Sequence, residues 1–161
     1  MGYLGYEYHD GGRRNAGYKG SAGDCVVRAI SIITGTPYKT VYTDMAAAMK
    51  ANGYRNSGDA NTVDRGIKRT RGMKKVRDVQ NSVKVQYGLE RVKIPKGPRP
   101  TYAEAYDRYG NCIVGTVKHV SAIVDGVLLD TFDSRTYRMK DADGNINTHE
   151  RKAQNIFIPK K

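Results

Sequence analysis

The sequence predicts an α+β fold with N-terminal helices packed on a C-terminal antiparallel sheet. Three observations predict it. Residues 25–52 place apolar side chains at helical spacing between residues that start and stop helices. Residues 111–132 are β-branched runs on either side of an Asp125-Gly126 turn. The two patterns follow one another along the chain instead of alternating, which separates α+β from parallel α/β architectures.

The elements follow in order. Residues 1–23 mix glycine, tyrosine and charge without a helical period, so they read as an extended segment, a Gly11-Gly12 turn and a glycine-punctuated loop. Residues 25–34 read as a helix whose apolar face is Val26, Val27, Ala29, Ile30 and Ile33. Asp24 stands at its N-cap position and Gly35 at C′. A second helix is expected with Thr36 as N-cap, Pro37 at N1, a face of Val41, Met45, Ala48 and Met49, and Gly53 closing it. The stretch from Ser57 to Gly72 suggests a short helix capped near Asn61, and Val76, Val79, Val83 and Tyr87 a further one ended by Gly88. LERVKIP reads as a strand and KGPRP as a stiff loop. Residues 101–110 read as a helix with a Thr101/Glu104 capping box.

The remainder turns to β. NCIVGTV, KHVSAIV and VLLDTF are strands, the last two joined by Asp125-Gly126. DADGN at 141–145 is a turn and QNIFIP a closing strand. A length of 161 residues suits one domain, here 1–161 with a basic insert at about 57–88.

Composition narrows the function classes. A net charge of +12 points to a polyanionic neighbour, a nucleic acid or another polyanion, and is silent on fold. Two cysteines, Cys25 and Cys112, are too few for a disulfide scaffold. The first ten residues lack the basic start and apolar run of a signal peptide, and no apolar run of about 18 residues offers a membrane span. The expectation is a reduced thiol protein of the cytoplasm. No two histidines have metal spacing, so neither a metal nor another cofactor is called for. DADGN lacks the glycine and distal Glu of a calcium loop.

The chemistry gathers around Cys25. A thiol in the first helical turn lies beside unpaired N–H groups and the positive end of the helix dipole, both of which stabilise a thiolate. A two-residue turn at Asp125-Gly126 sets Val124 against Val127, hence Ser121 against Asp130 and His119 against Phe132. Alternation then puts His119, Ser121, Asp130 and Phe132 on one side of the sheet, with Asp130 diagonal to His119 and Asp133 on the other side. Cys25, His119 and Asp130 thus form the set a thiol nucleophile needs: nucleophile, base, and an acid that orients the base, with a thiolate–imidazolium pair expected between the first two. Two bland readings stand beside it. Cys25 can be a structural thiol, and His119 a strand histidine bonded to Asp130 for structural reasons.

GDC opening a helix, HVSAIVDG, and Asp130-Thr131-Phe132 in the place of the papain-type Asn-Ser-Trp make the chain resemble the papain-like cysteine peptidases. The Asp24-Cys25 pair is similar to bacteriocin-processing peptidases, and residues 10–42 with 119–133 look like a group of small phage and bacterial proteins of this layout. The resemblance covers about 10–50 and 85–137. It implies a papain-like fold and hydrolysis of a peptide or isopeptide bond in a protein or peptide substrate, with Cys25, His119 and Asp130 catalytic. It also implies a phage context, in the host cytoplasm or the virion. Papain-type enzymes carry a glutamine about six residues before the nucleophile. Here that position is Lys19, the oxyanion candidate, with Asn15 nearby. Loss of one oxyanion donor raises a barrier by about 2.7–4 kcal/mol, so the alternative implied is an inactive papain-fold binding or virion protein.

A second signal lies in the middle of the chain. RGIKRTRGMKKVR holds Arg65, Lys68, Arg69, Arg71, Lys74, Lys75 and Arg77 with no acid, a composition suited to phosphate contacts of a nucleic acid, or else to a solvated face. Cys112, flanked by strand residues, is expected to be a buried structural thiol, and His9 and His149 lie in polar loop contexts.

Overall fold

A computed structural model of the chain describes residues 3–18, 23–55, 63–64, 67–68 (backbone), 74–116 and 118–161. Its class is α+β. Four helices are present among these residues: α1 (Cys25–Thr34), α2 (Tyr38–Ala51), α3 (Val76–Gln86) and α4 (Tyr102–Tyr109).

The central sheet is formed by β1 (Gly5–Tyr8), β4 (Leu89–Arg91), β5 (Cys112–Gly115), β6 (Val120–Val124), β7 (Val127–Asp130) and β10 (Asn155–Pro159), in the order β1-β7-β6-β5-β10-β4. It is mixed, where the sequence predicts a wholly antiparallel one. β1 runs parallel to β7, Gly5 against Val127 through Tyr8 against Asp130. Period and propensity cannot reveal that pairing, because it joins segments more than a hundred residues apart.

The hairpin register matches the expected one. Val124 faces Val127 and Ala122 faces Leu129, across a turn with positive φ at both Asp125 (51°) and Gly126 (79°). A β-branched residue at either position would be strained, whereas Asp and Gly tolerate it.

Alternation along the strands sorts side chains to the two faces. Ile113, Ala122 and Phe157 join the cluster under α1, α2 and α3, whereas Cys112, Val114, Ile123, Leu128 and Ile156 join Tyr102 and Ala105 of α4. The sheet is therefore the middle of three layers. α3 buries Val79 and Val83 against the first cluster, so the C-terminal part of the basic stretch belongs to the core.

Several local details differ from expectation. α2 begins at Tyr38 with Pro37 as N-cap, one residue later than predicted. Ile67–Lys68 is a strand, β3, paired with β2 (Tyr54–Arg55), so a helix does not run through 67–68, and most of that predicted helix lies outside the described residues. The 141–145 turn joins two unpredicted strands, β8 (Thr136–Lys140) and β9 (Ile146–Glu150), all ten of whose residues are exposed. With no buried face they lack the apolar alternation by which strands are read. The Thr101/Glu104 capping box and the left-handed Gly35 at the end of α1 are present as expected.

Candidate active site

The helix that carries Cys25 starts differently from the expected way. Asp24 holds the N-cap position, but its carboxylate makes no capping bond. It turns inward instead, accepting from Arg28 Nη1 at 2.8 Å and the Tyr38 hydroxyl at 2.6 Å and forming an ion pair with Arg13, whose Nε lies 3.3 Å away. Two buried guanidinium groups outcompete backbone amides for a buried carboxylate, since each ion left alone there would cost several kcal/mol.

The amides go to Asp64. Val26 N–H donates to its Oδ2 at 2.7 Å and Val27 N–H to its Oδ1 at 3.3 Å. The open helix terminus expected to stabilise a Cys25 thiolate is therefore filled by a carboxylate from a distant segment. No local signal identifies Asp64, which lies 38 residues from the amide it caps.

Both groups feel this arrangement. Burial pushes the Cys25 thiol up to about 12, and the negative charges of Asp64 and Asp24 add to the rise. The Val120 N–H directed at the sulfur and the Arg28 guanidinium work against it. Burial raises Asp64 to about 7, and the two helix amides oppose that. The sequence predicts a thiolate–imidazolium pair, whereas the surroundings of the sulfur favour the neutral thiol. The physical reason is a desolvated sulfur beside a carboxylate.

The base and its orienter are together. His119 Nε2 lies 2.6 Å from Asp130 Oδ2, and the imidazole packs on the Phe132 ring with centroids 4.7 Å apart. Asp130 is nearly fully buried and also accepts from the Ser121 and Ser134 hydroxyls and the Thr131 N–H. Burial pushes its carboxyl up, but the His119 bond and charge and the Ser121 and Thr131 donors outweigh that and hold it below the ordinary carboxylate value. Asp133 pairs instead with the Arg135 guanidinium, 2.7 Å away.

What register could not tell is which side of the sheet this pair occupies relative to Cys25. Strand alternation groups Ser121 and Asp130 with Ile123 and Leu128, on the α4 side, while α1 packs on the other. The two sides meet where the strands end. There Arg28 Nη2 of α1 reaches Asp130 Oδ1 at 3.9 Å, and Cys25, Arg28, Val120, Ser121 and Asp130 line one narrow crevice. No hydrogen bond joins the Cys25 sulfur to the His119 ring among the described residues. With Nε2 held by Asp130, Nδ1 is the nitrogen left to face a thiol.

His9, read from sequence only as a loop histidine, lines both this crevice and an adjoining open groove of about 550 Å³ whose walls include Asn15, Ser31, Tyr38 and Lys39. The groove is held by a close approach of Gly11, at φ 71°, to α1. A Cβ there would stand 3.0 Å from the Arg28 Cα. Its His9 Nδ1 accepts the Gly11 N–H at 2.9 Å.

Of the other predicted site residues, Lys19, Arg65, Arg69 and Arg71 lie outside the described residues, as does the side chain of Lys68. Lys74, Lys75 and Arg77 are exposed. Cys112 is buried in the α4-side cluster, and burial alone raises its thiol to about 12. Among the described residues no group of three His, Cys, Asp or Glu side chains is placed to hold a metal, and no helix is long and apolar enough to cross a membrane. No protein-family model, curated protein or solved structure matches this chain.

Proposed function

We propose that the chain is a papain-like thiol hydrolase acting on peptide or isopeptide bonds, with Cys25 as nucleophile, His119 as base and Asp130 as the residue that orients the base. The observation that carries the reading is the 2.6 Å bond from His119 to Asp130, a residue that lines one crevice with Cys25. A carboxylate on Nε2 fixes the tautomer with its proton there and leaves Nδ1 basic.

Because the sulfur is a neutral thiol at rest, the proton leaves it during attack. Sγ bonds the substrate carbonyl carbon as His119 Nδ1 takes the thiol proton, and His119 returns that proton to the departing amine. Water then hydrolyses the thioester, restoring the thiol and releasing a carboxylic acid. The imidazole must swing toward α1 for the first step, and the substrate enters along the groove shared with His9.

One observation favours the catalytically silent alternative: the helix amides near the thiol are occupied by Asp64. A single experiment divides the two. A peptidyl vinyl sulfone is offered at pH 7.5 and the adduct located by intact mass and peptide mapping. The enzyme reading expects one adduct, on Cys25 and not Cys112, formed at least tenfold more slowly in His119→Ala. Labelling that is indifferent to His119→Ala, or absent, establishes the silent reading.

A further inference from the structure

Away from the crevice, the chain from the last residue of β4 onward carries four cations and no carboxylate between residues 91 and 99: Arg91, Lys93, Lys96 and Arg99, all exposed. Three of them, Arg91, Lys93 and Arg99, line one pocket of about 370 Å³ together with the carboxamide residues Gln154 and Asn155 of the β10 side. That volume is in the range of sites that take small ligands or a short stretch of a polymer. The pocket contains no acid to neutralise the cations.

The segment is held in place before any ligand arrives. Val92 N–H continues the sheet by donating to Ile156 O at 2.8 Å, and Arg99 Nη1 donates to Gln154 O at 2.7 Å. Pro95, Pro98 and Pro100 restrict the chain between these two anchors. Val92 and Ile94 turn their side chains against the α4-side cluster, which fixes the alternation that sends Arg91 and Lys93 the other way. Preplaced guanidinium and ammonium groups lose little freedom on binding an anion.

We infer that this pocket binds phosphate groups, those of a nucleic acid strand. Guanidinium forks match phosphate oxygens, and cations spaced along nine residues match a ligand whose charges are themselves spaced along a chain. No aromatic ring lines the pocket, so contact is through the backbone and is indifferent to base. None of the candidate triad residues lines this pocket, and neither do Lys74, Lys75 and Arg77.

The test uses the full chain and a fluorescent (dT)20 strand, with anisotropy measured from 50 to 300 mM salt. Arg91→Ala/Lys93→Ala/Arg99→Ala is expected to weaken binding at least about tenfold at low salt and to flatten the slope of log K against log salt by about 2, at roughly 0.7 per single-strand phosphate lost. Lys93→Ala alone, exposed and safe for the fold, should flatten it by about 0.7. A (dA)20 strand is expected to bind like (dT)20, and pyrophosphate to compete. Pyrophosphate that saturates the pocket while neither strand binds, poly-glutamate that binds as tightly as (dT)20, or a slope unchanged in both variants would each overturn the inference.

Discussion

Each face of the central sheet holds one cysteine, and burial carries both thiols to about 12, yet the two surroundings are unlike. Cys112 sits among Val114, Ile123, Leu128 and Tyr102, with desolvation the sole cause of its rise. Cys25 sits beside a buried charged layer of Asp24, Arg28 and Asp64, where two carboxylates add to the rise and a guanidinium and an amide subtract from it. A thiol held up by desolvation alone changes only if the fold opens. One held by opposed charges can be moved by protonating or replacing a neighbour. The Cys25 thiol can therefore be tuned by a neighbouring charge, and the Cys112 thiol cannot.

The comparison breaks first at Asp24. Its carboxylate pairs Arg28 and Arg13 and accepts from Tyr38, all in the interior. Asp24→Ala leaves two buried cations short of a partner and is expected to cost about 3–5 kcal/mol in urea unfolding. On the dry face, Leu128→Ala removes fully buried methyl groups and should cost about 2–5 kcal/mol, through a cavity. Charge is the distinguishing sign. Asp24→Asn, which keeps the size and an acceptor for Tyr38, should still destabilise by more than about 1 kcal/mol, because hydrogen bonds to charged groups exceed neutral ones. A smaller loss in both Asp24 variants would mean that the charged layer does not hold α1 in place.

The second break point is pH. Asp64 has its folded value raised to about 7. Between about pH 4 and 7 the native chain keeps a proton that the unfolded chain has released, so this residue makes stability fall as pH rises, by up to about 1.4 kcal/mol per unit. Asp64→Asn cannot titrate and should remove that slope, measured as the difference between variant and parent unfolding free energies across the window. Asp130 has the opposite sign. Held below its ordinary value, it contributes stability that is present above about pH 4 and is lost on further acidification. A parent and an Asp64→Asn chain with parallel pH profiles would remove Asp64 from the account.

How much of this was legible follows from the range of each interaction. The hairpin register was legible because Asp125-Gly126 fixes it locally, and with it the His119–Asp130 pairing and the exclusion of Asp133. The α4 capping box and the Gly35 terminus were legible for the same reason. Asp64 was not, since it meets α1 across 38 residues, and neither was the parallel β1, which joins β7 only through tertiary packing. Asp24 stands at the N-cap position as its type suggests, but its carboxylate turns away from the helix amides. Only the folded chain shows that Arg13 and Arg28 compete for it. Alternation put His119 and Asp130 on one side of the sheet but was silent on which side α1 would cover.

The smallest effect concerns the thiols themselves. Asp64 is the second cause of the Cys25 rise, after burial. Replacing it by Asn removes a negative charge from the start of α1 without adding solvent, so the Cys25 thiol should fall. Cys112, with no charged neighbour among its causes, should not move. Monobromobimane labelling rates against pH, with each cysteine read by peptide mapping, report the two values in one sample. Cys25 of Asp64→Asn should reach its half-maximal rate at a lower pH than the parent while Cys112 stays fixed. A joint shift of both thiols would indicate general loosening of the fold, and no shift in either would show that burial alone governs Cys25, making the two faces equivalent after all.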